Sequence, residues 1–117
     1  MQTVVETEMF VRAARLTGVS DDEREAIVSW IAANPLAGDM IQGTGGVRKV
    51  RLPARGKGKS GGYRVITFFG GSDMPVFLLT IYAKGDRTDL SADMRKAVST
   101  VAEAIKQEFH KPWRKKR

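Results

Sequence analysis

A chain of 117 residues with 42% apolar side chains and a mean hydropathy of -0.28 has the size and composition of one soluble domain able to bury a core. No apolar run reaches the roughly 18–20 residues of a membrane span, and Met1 to Phe10 carries Glu6 and Glu8 without a basic leader, so a cytoplasmic protein is expected. Zero cysteines exclude disulfides and thiolate zinc sites, and a single histidine, His110, excludes His-cluster metal sites and any two-histidine acid–base mechanism. No cofactor is expected.

Val4 and Val5 read as a short strand, and Met9 to Leu16 as a helix ending at Gly18. Ser20-Asp21-Asp22-Glu23 is a capping box with acids in the first turn, where they suit the helix dipole. Ile27, Trp30, Ile31 and Asn34 follow at helical spacing, which places Trp30 in the core, and Pro35 stops this second helix. Met40 to Gly46 is expected as loop. There the period changes to two, and Val47–Leu52, Tyr63–Phe69 and Val76–Ala83 read as three strands, with a hairpin-type turn at Gly70-Gly71-Ser72-Asp73. Met94, Ala97, Val98, Val101, Ile105 and Phe109 make one apolar helical stripe after Ser91, closed by Pro112, with a frayed basic tail over 111–117. Consecutive strands with short turns imply antiparallel pairing. The expected fold is therefore α+β: an N-terminal strand, two helices, an antiparallel three-strand sheet, and a C-terminal helix packed on that sheet, in a single domain over 1–117.

Charge is distributed unevenly. Residues 1–39 hold 3 basic and 7 acidic groups, whereas residues 40–72 hold seven cations (Arg48, Lys49, Arg51, Arg55, Lys57, Lys59, Arg64) and no acid. Residues 73–110 hold 5 basic and 6 acidic groups, and the last seven residues add five cations. A mildly acidic body with two strongly basic segments points to a polyanionic partner, most simply nucleic acid.

Two glycine patterns imitate nucleotide-binding motifs. Gly56-Lys57-Gly58-Lys59-Ser60-Gly61 matches G-x-G-x-x-G, but a strand follows it where a pyrophosphate site needs a helix N-terminus. Gly58-Lys59-Ser60 resembles the end of a phosphate loop whose first glycine would fall at Pro53. A flexible cationic hairpin loop accounts for both. The acids at Asp21, Asp22, Glu23 and Glu25 cap a helix rather than hold a metal, His110 reads as a solvated helix-end cation, and Trp113 either stacks on a base or folds back on the helix.

The strands carry more. Lys49 and Arg51 share one face of their strand, Arg64 interrupts an otherwise apolar one, and Thr80, Tyr82 and Lys84 share a face of the next. Antiparallel pairing can gather Lys49, Arg51, Arg64, Tyr82 and Lys84 on one concave surface. Edge lysines that resist aggregation would explain a few such charges, but a merely soluble surface mixes signs, and this stretch does not.

The runs Gly38-Asp39-Met40-Ile41-Gln42-Gly43-Thr44-Gly45-Gly46-Val47-Arg48-Lys49, Lys57-Gly58-Lys59-Ser60-Gly61-Gly62-Tyr63-Arg64-Val65-Ile66 and Leu79-Thr80-Ile81-Tyr82-Ala83-Lys84 closely resemble the HigB branch of the RelE/ParE toxin superfamily. The resemblance covers nearly the whole chain and is weakest after Phe109. It implies a small α+β toxin of a type II toxin–antitoxin pair that cleaves messenger RNA in the decoding site of a translating ribosome. By the same resemblance Arg64 matches a central-strand arginine at the scissile phosphate. Lys49 and Arg51 match basic positions on the preceding strand, where relatives use lysines for proton transfer, and Lys84 matches one at the end of the last strand. The chain has no tyrosine after Tyr82 and lacks the histidines of another HigB subgroup, so Tyr82 or Lys84 stand as substitutes.

Metal-independent RNA cleavage uses the neighbouring 2′-OH as nucleophile and needs a base, charge stabilisation at phosphorus and an acid for the leaving oxygen. A lysine near its ordinary value of about 10.4 is a poor base at neutral pH, and crowding by cations improves it. The roles expected are Arg64 on the phosphate oxygens, Lys49 or Lys84 as base, Arg51 on the leaving group, and Tyr82 on the splayed RNA. Arg48, Arg55, Lys57 and Lys59 would bind RNA and the ribosome without sequence preference. Two other functions remain compatible with the sequence: a ParE-like gyrase inhibitor without nuclease activity, and a non-catalytic RNA-binding module. The resemblance also implies a helix-turn-helix, HigA-like antitoxin. It would lie either across residues 47–64 or, as the charge map favours, on the acidic N-terminal region.

Overall fold

In chain order the elements are β1 (Val4–Glu6), α1 (Glu8–Thr17), α2 (Asp21–Ala33), β2 (Asp39–Met40), β3 (Val47–Leu52), β4 (Tyr63–Phe68), β5 (Val76–Ala83) and α3 (Ala92–Phe109). The computed structural model describes residues 1–53, 62–85 and 89–109. The three strands expected from the period-two pattern form the middle of a five-stranded sheet of order β1-β5-β4-β3-β2. β2 through β5 pair antiparallel, whereas β1 runs parallel to β5 with Val4 opposite Val76. The sheet is therefore mixed and two strands wider than the antiparallel three-strand sheet expected. β2 is two exposed residues, Asp39 just before the expected loop and Met40 at its start, too short for any alternation to show in sequence.

Both faces of the sheet are covered. On one face Val50, Leu52, Tyr63, Val65, Leu78 and Ile81 meet Phe10 and Ala14 of α1 and Ile27 and Ile31 of α2. On the other, Val47, Ile66, Phe68, Leu79 and Tyr82 meet Leu90 and, from α3, Val98 and Ala102. β4, central between these layers, is buried at all six positions. A bulge in β5 makes the two faces continuous. Ile66 pairs with Thr80 but Thr67 with Leu78, so Leu79 is an extra residue that joins the α3-side cluster, and Leu78 and Ile81 face the same way although three apart.

Local chemistry sets the helix ends. The Thr7 hydroxyl accepts from the Phe10 N–H, and Gly18, at φ 85°, closes α1 in the left-handed conformation. The Ser20/Glu23 capping box forms as expected, and Glu23 also accepts from the Tyr63 hydroxyl at 3.2 and 3.3 Å, tying the start of α2 to β4. The Ser91 hydroxyl accepts from the Met94 N–H at the start of α3. The expected apolar stripe of α3 is present, although Ala97 is exposed and Ala102 is buried in its place. Phe109 packs edge-on against Phe77, with ring centres 5.9 Å apart, and Lys106 lies 5.8 Å from the Phe68 ring centre.

Trp30 is not core. It is 42% exposed, at the lip of a groove of about 180 Å³ that includes Glu23, Ala26, Leu52 and Pro53. At about 100° per residue it stands ~80° from the centre of the Ile27/Ile31 stripe, on the flank of the helix. His110, Pro112, Trp113, the basic tail and the glycine-rich segment 56–61 lie outside the described residues.

Gly62, at φ +68°, joins the end of the sheet to β4, and an added Cβ there would overlap the Leu52 carbonyl oxygen and come within 2.9 Å of Pro53 Cα. Gly18 is also left-handed, but an added Cβ meets nothing within 4 Å. Gly18→Ala is expected to cost about 1 kcal/mol for the conformation alone, and Gly62→Ala at least about 2 kcal/mol because steric overlap adds to it. Urea unfolding of both variants checks the order.

Candidate nucleic-acid interface

Side-chain parity along β3 and the register with β4 and β5 place three rows on the α3 side of the sheet. Val47, Phe68 and Phe77 form one row, covered by α3. Lys49, Ile66 and Thr80 form the next, and Arg51, Arg64 and Tyr82 the last. The face is thus apolar where α3 lies on it and cationic at its far end.

Arg51 and Arg64 stand directly opposite each other across β3 and β4, an arrangement of like charges that destabilises a sheet. Arg64 is only 8% exposed and donates from Nη1 to the Tyr63 carbonyl at 3.4 Å. Burying a guanidinium in a central strand requires partners for its charge and its donors. An anion bound over the row would relieve the repulsion between the two arginines.

Lys49, with its side chain 18% exposed, forms an ion pair at 2.8 Å with Asp89. Asp89 was not foreseen as part of the site, because it lies 40 residues away in the short link before α3. No spacing rule connects it to Lys49. Its position follows from Leu90, which is buried in the α3-side cluster and so fixes the preceding residue near the cationic end of the sheet. The expectation of an acid-free cationic surface is corrected here: the stretch 40–72 contains no carboxylate, yet the fold brings one to it. The hydrogen bond from Lys49 holds the Asp89 carboxyl below its ordinary value of 3.8, helped by the charge of Lys49 and by Arg95 and Arg51, with desolvation opposing.

The structure therefore brings together Lys49, Arg51, Arg64 and Tyr82. Tyr82 is 7% exposed and belongs to the α3-side cluster, and with Thr80, Leu90 and Met94 it lines a surface groove. Lys84 lies just past β5, exposed, with its backbone N–H donating to Gly62 at the same end of the sheet. Arg48 is not brought to the row. Parity turns it to the opposite face, where Nη1 donates to the carbonyls of Leu36 and Gly38 at 3.3 and 3.2 Å. Arg55, Lys57 and Lys59 lie outside the described residues.

Residues 2–113 match the family described as the RelE toxin of the RelE/RelB toxin–antitoxin system. The chain belongs to the RelE toxin family. Its fold is similar to that of an arginine-to-alanine double mutant of the E. coli toxin RelE in the free state. The TM-score is 0.51 at 15% identity, over 85% of this chain and 94% of that chain. Membership implies an antitoxin partner. In this RelE-family toxin no helix among the described residues is long and apolar enough to cross a membrane.

Asp89 is expected to titrate below 3.8 in the folded toxin. Because its folded value is depressed, the stabilisation from its pairing with Lys49 is present above the ordinary carboxylate value and is lost as the pH falls through the lower, folded one. Lys49→Gln should move the Asp89 midpoint upward. Carboxyl chemical shifts followed from pH 6 to about pH 2 in both proteins check this.

Proposed function

We propose that this toxin is a ribosome-dependent endoribonuclease of the HigB branch, cutting messenger RNA in the decoding site by metal-independent attack of the 2′-OH on the adjacent phosphate. The observation that carries the reading is the row Arg51–Arg64–Tyr82 beside Lys49: two arginines directly opposed across β3 and β4, one nearly buried and one exposed, with a third cation next to them on a rigid sheet. RelE-family toxins act as ribosome-dependent RNases, which supports the same assignment.

In this mechanism Arg64 binds the non-bridging phosphate oxygens, where charge grows as the 2′ oxygen attacks phosphorus. The products are a cyclic phosphate and a 5′-OH. Arg51, more exposed and one strand toward the edge, stabilises the leaving 5′ oxygen. Lys49, in the row next to Arg51 and Arg64, suits charge stabilisation and donation of a proton to the leaving 5′ oxygen. Lys84, exposed at the end of β5, accepts the proton of the 2′-OH. Tyr82, directly across from Arg64 and nearly buried, holds the arginine in position beside the splayed RNA. Arg55, Lys57 and Lys59 grip ribosomal RNA as point charges.

The site of action places the toxin in the cytoplasm. Its antitoxin is HigA-like and binds the acidic N-terminal side. The exposed Asp21, Asp22 and Glu25 of α2 support this, since α2 packs on the sheet face away from the cationic row.

Arg64→Ala is expected to lower single-turnover cleavage of ribosome-bound message by at least about 100-fold, the scale of losing one transition-state donor, and to abolish growth arrest. Arg64→Lys should restore little, because the bidentate geometry is lost. Thermal melting of both variants should stay near wild type, since removing Arg64 also removes the repulsion with Arg51. Growth arrest by Arg64→Ala as fast as wild type, or arrest with intact messages and an SOS response, would refute the assignment. The SOS outcome would identify a gyrase inhibitor instead.

A further inference from the structure

An exposed ion pair contributes little to folding stability, so the Lys49–Asp89 contact calls for another explanation. Its geometry supplies one. Lys49 is the partly buried member, with 18% of its side chain exposed, whereas Asp89 is 70% exposed and lies on the solvent side of the pair. Asp89 also feels Arg51 and Arg95, so its charge acts on the cationic row as well as on one amine. A carboxylate and a phosphate present the same kind of anionic oxygen to an ammonium, and two such anions repel each other.

We infer that Asp89 is a built-in competitor for the RNA phosphate. In the free toxin its carboxylate occupies Lys49 and offsets part of the charge of the Arg51–Arg64 row, and RNA must displace it to engage the full set of cations. The inference rests on the ribonuclease reading and adds a specificity device to that site. A single stray polyanion has to break the ion pair, whereas the ribosome, with many additional phosphate contacts, can overcome it. Weak binding to free RNA is thereby set by one acidic residue. Asp89 is a positioning residue, acting through Lys49, and does not itself touch the reacting atoms.

The test uses the purified full chain and a short, fluorescently labelled, 2′-O-methylated single-stranded RNA that cannot be cut. Asp89→Asn is expected to tighten binding about three- to tenfold at low salt, the effect of removing one unit charge a few ångströms from a phosphate. It should also steepen the dependence of log K on log salt by up to about 0.7, as one further phosphate contact forms. Asp89→Glu, which keeps the charge, should bind like wild type. In a Lys49→Gln background the gain from Asp89→Asn should fall by at least half, a coupling that a general change of net charge would not produce. On ribosome-bound message Asp89→Asn should lower the concentration giving half-maximal cleavage. Unchanged or weaker RNA binding by Asp89→Asn, or the same gain with and without Lys49, would overturn the competitor role while leaving the ribonuclease reading intact. No binding of the RNA and no cleavage of ribosome-bound message by the wild type would overturn that reading, and this inference with it.

Discussion

The structure depends on a guanidinium placed inside its most buried strand. β4 is covered on both faces, and five of its six side chains are residues that such a strand readily accepts: Tyr63, Val65, Ile66, Thr67 and Phe68. Arg64 is the sixth, opposed by a second arginine on one side and a tyrosine on the other. An aliphatic residue at this position would pack more cheaply. Apolar rows at one end of the sheet and α3 across them anchor the strand so firmly that the charged end can remain electrostatically unfavourable. Apolar packing and charge are thus divided along the length of three strands, within a distance of a few residues.

That division requires the β5 bulge. With uninterrupted alternation, Tyr82 and Thr80 would share a face with Leu78 and Val76, and Phe77 would point away from α3. The extra residue at Leu79 reverses parity, so that Phe77 under α3 and Tyr82 in the cationic row lie on one face, while Ile81 joins Leu78 and Val76 against α1. One irregular residue therefore connects the helix that stabilises the face with the row that carries its charge. The segment before α3 has a similar double duty. Leu90 is buried beneath the helix start, and this anchors Asp89 at Lys49.

Much of this was legible in the sequence because it follows from local rules. The capping box at Ser20, the strand periods from Val47 onward and the apolar stripe of α3 are short-range patterns, and each formed where expected. Alternation also sufficed to put Lys49 and Arg51 on one face and, once pairing was antiparallel, to bring Arg64 opposite. What escaped was set by tertiary contact. Trp30 has the spacing of a core residue, but its angle from the Ile27/Ile31 stripe leaves it on the flank. β2 has no pattern of its own and exists because β3 offers an edge. Arg48 lies on the other face by the same alternation, and only its two carbonyl partners, Leu36 and Gly38, were set by tertiary contact.

Asp89 shows most clearly how a charge map in sequence differs from one in space. Counting along the chain makes residues 40–72 purely basic, and the count is correct. Folding changes its meaning, because a carboxylate 40 residues away lies 2.8 Å from Lys49. A surface designed only to attract polyanions would have no use for that neighbour. A site that must act on RNA in one setting and ignore it in others gains from opposing charges, since attraction summed over many ribosomal contacts can exceed a penalty that a lone strand of RNA cannot. Selectivity in such a site comes from the residual repulsion as much as from the cations, and the acid that supplies it need not be near them in sequence.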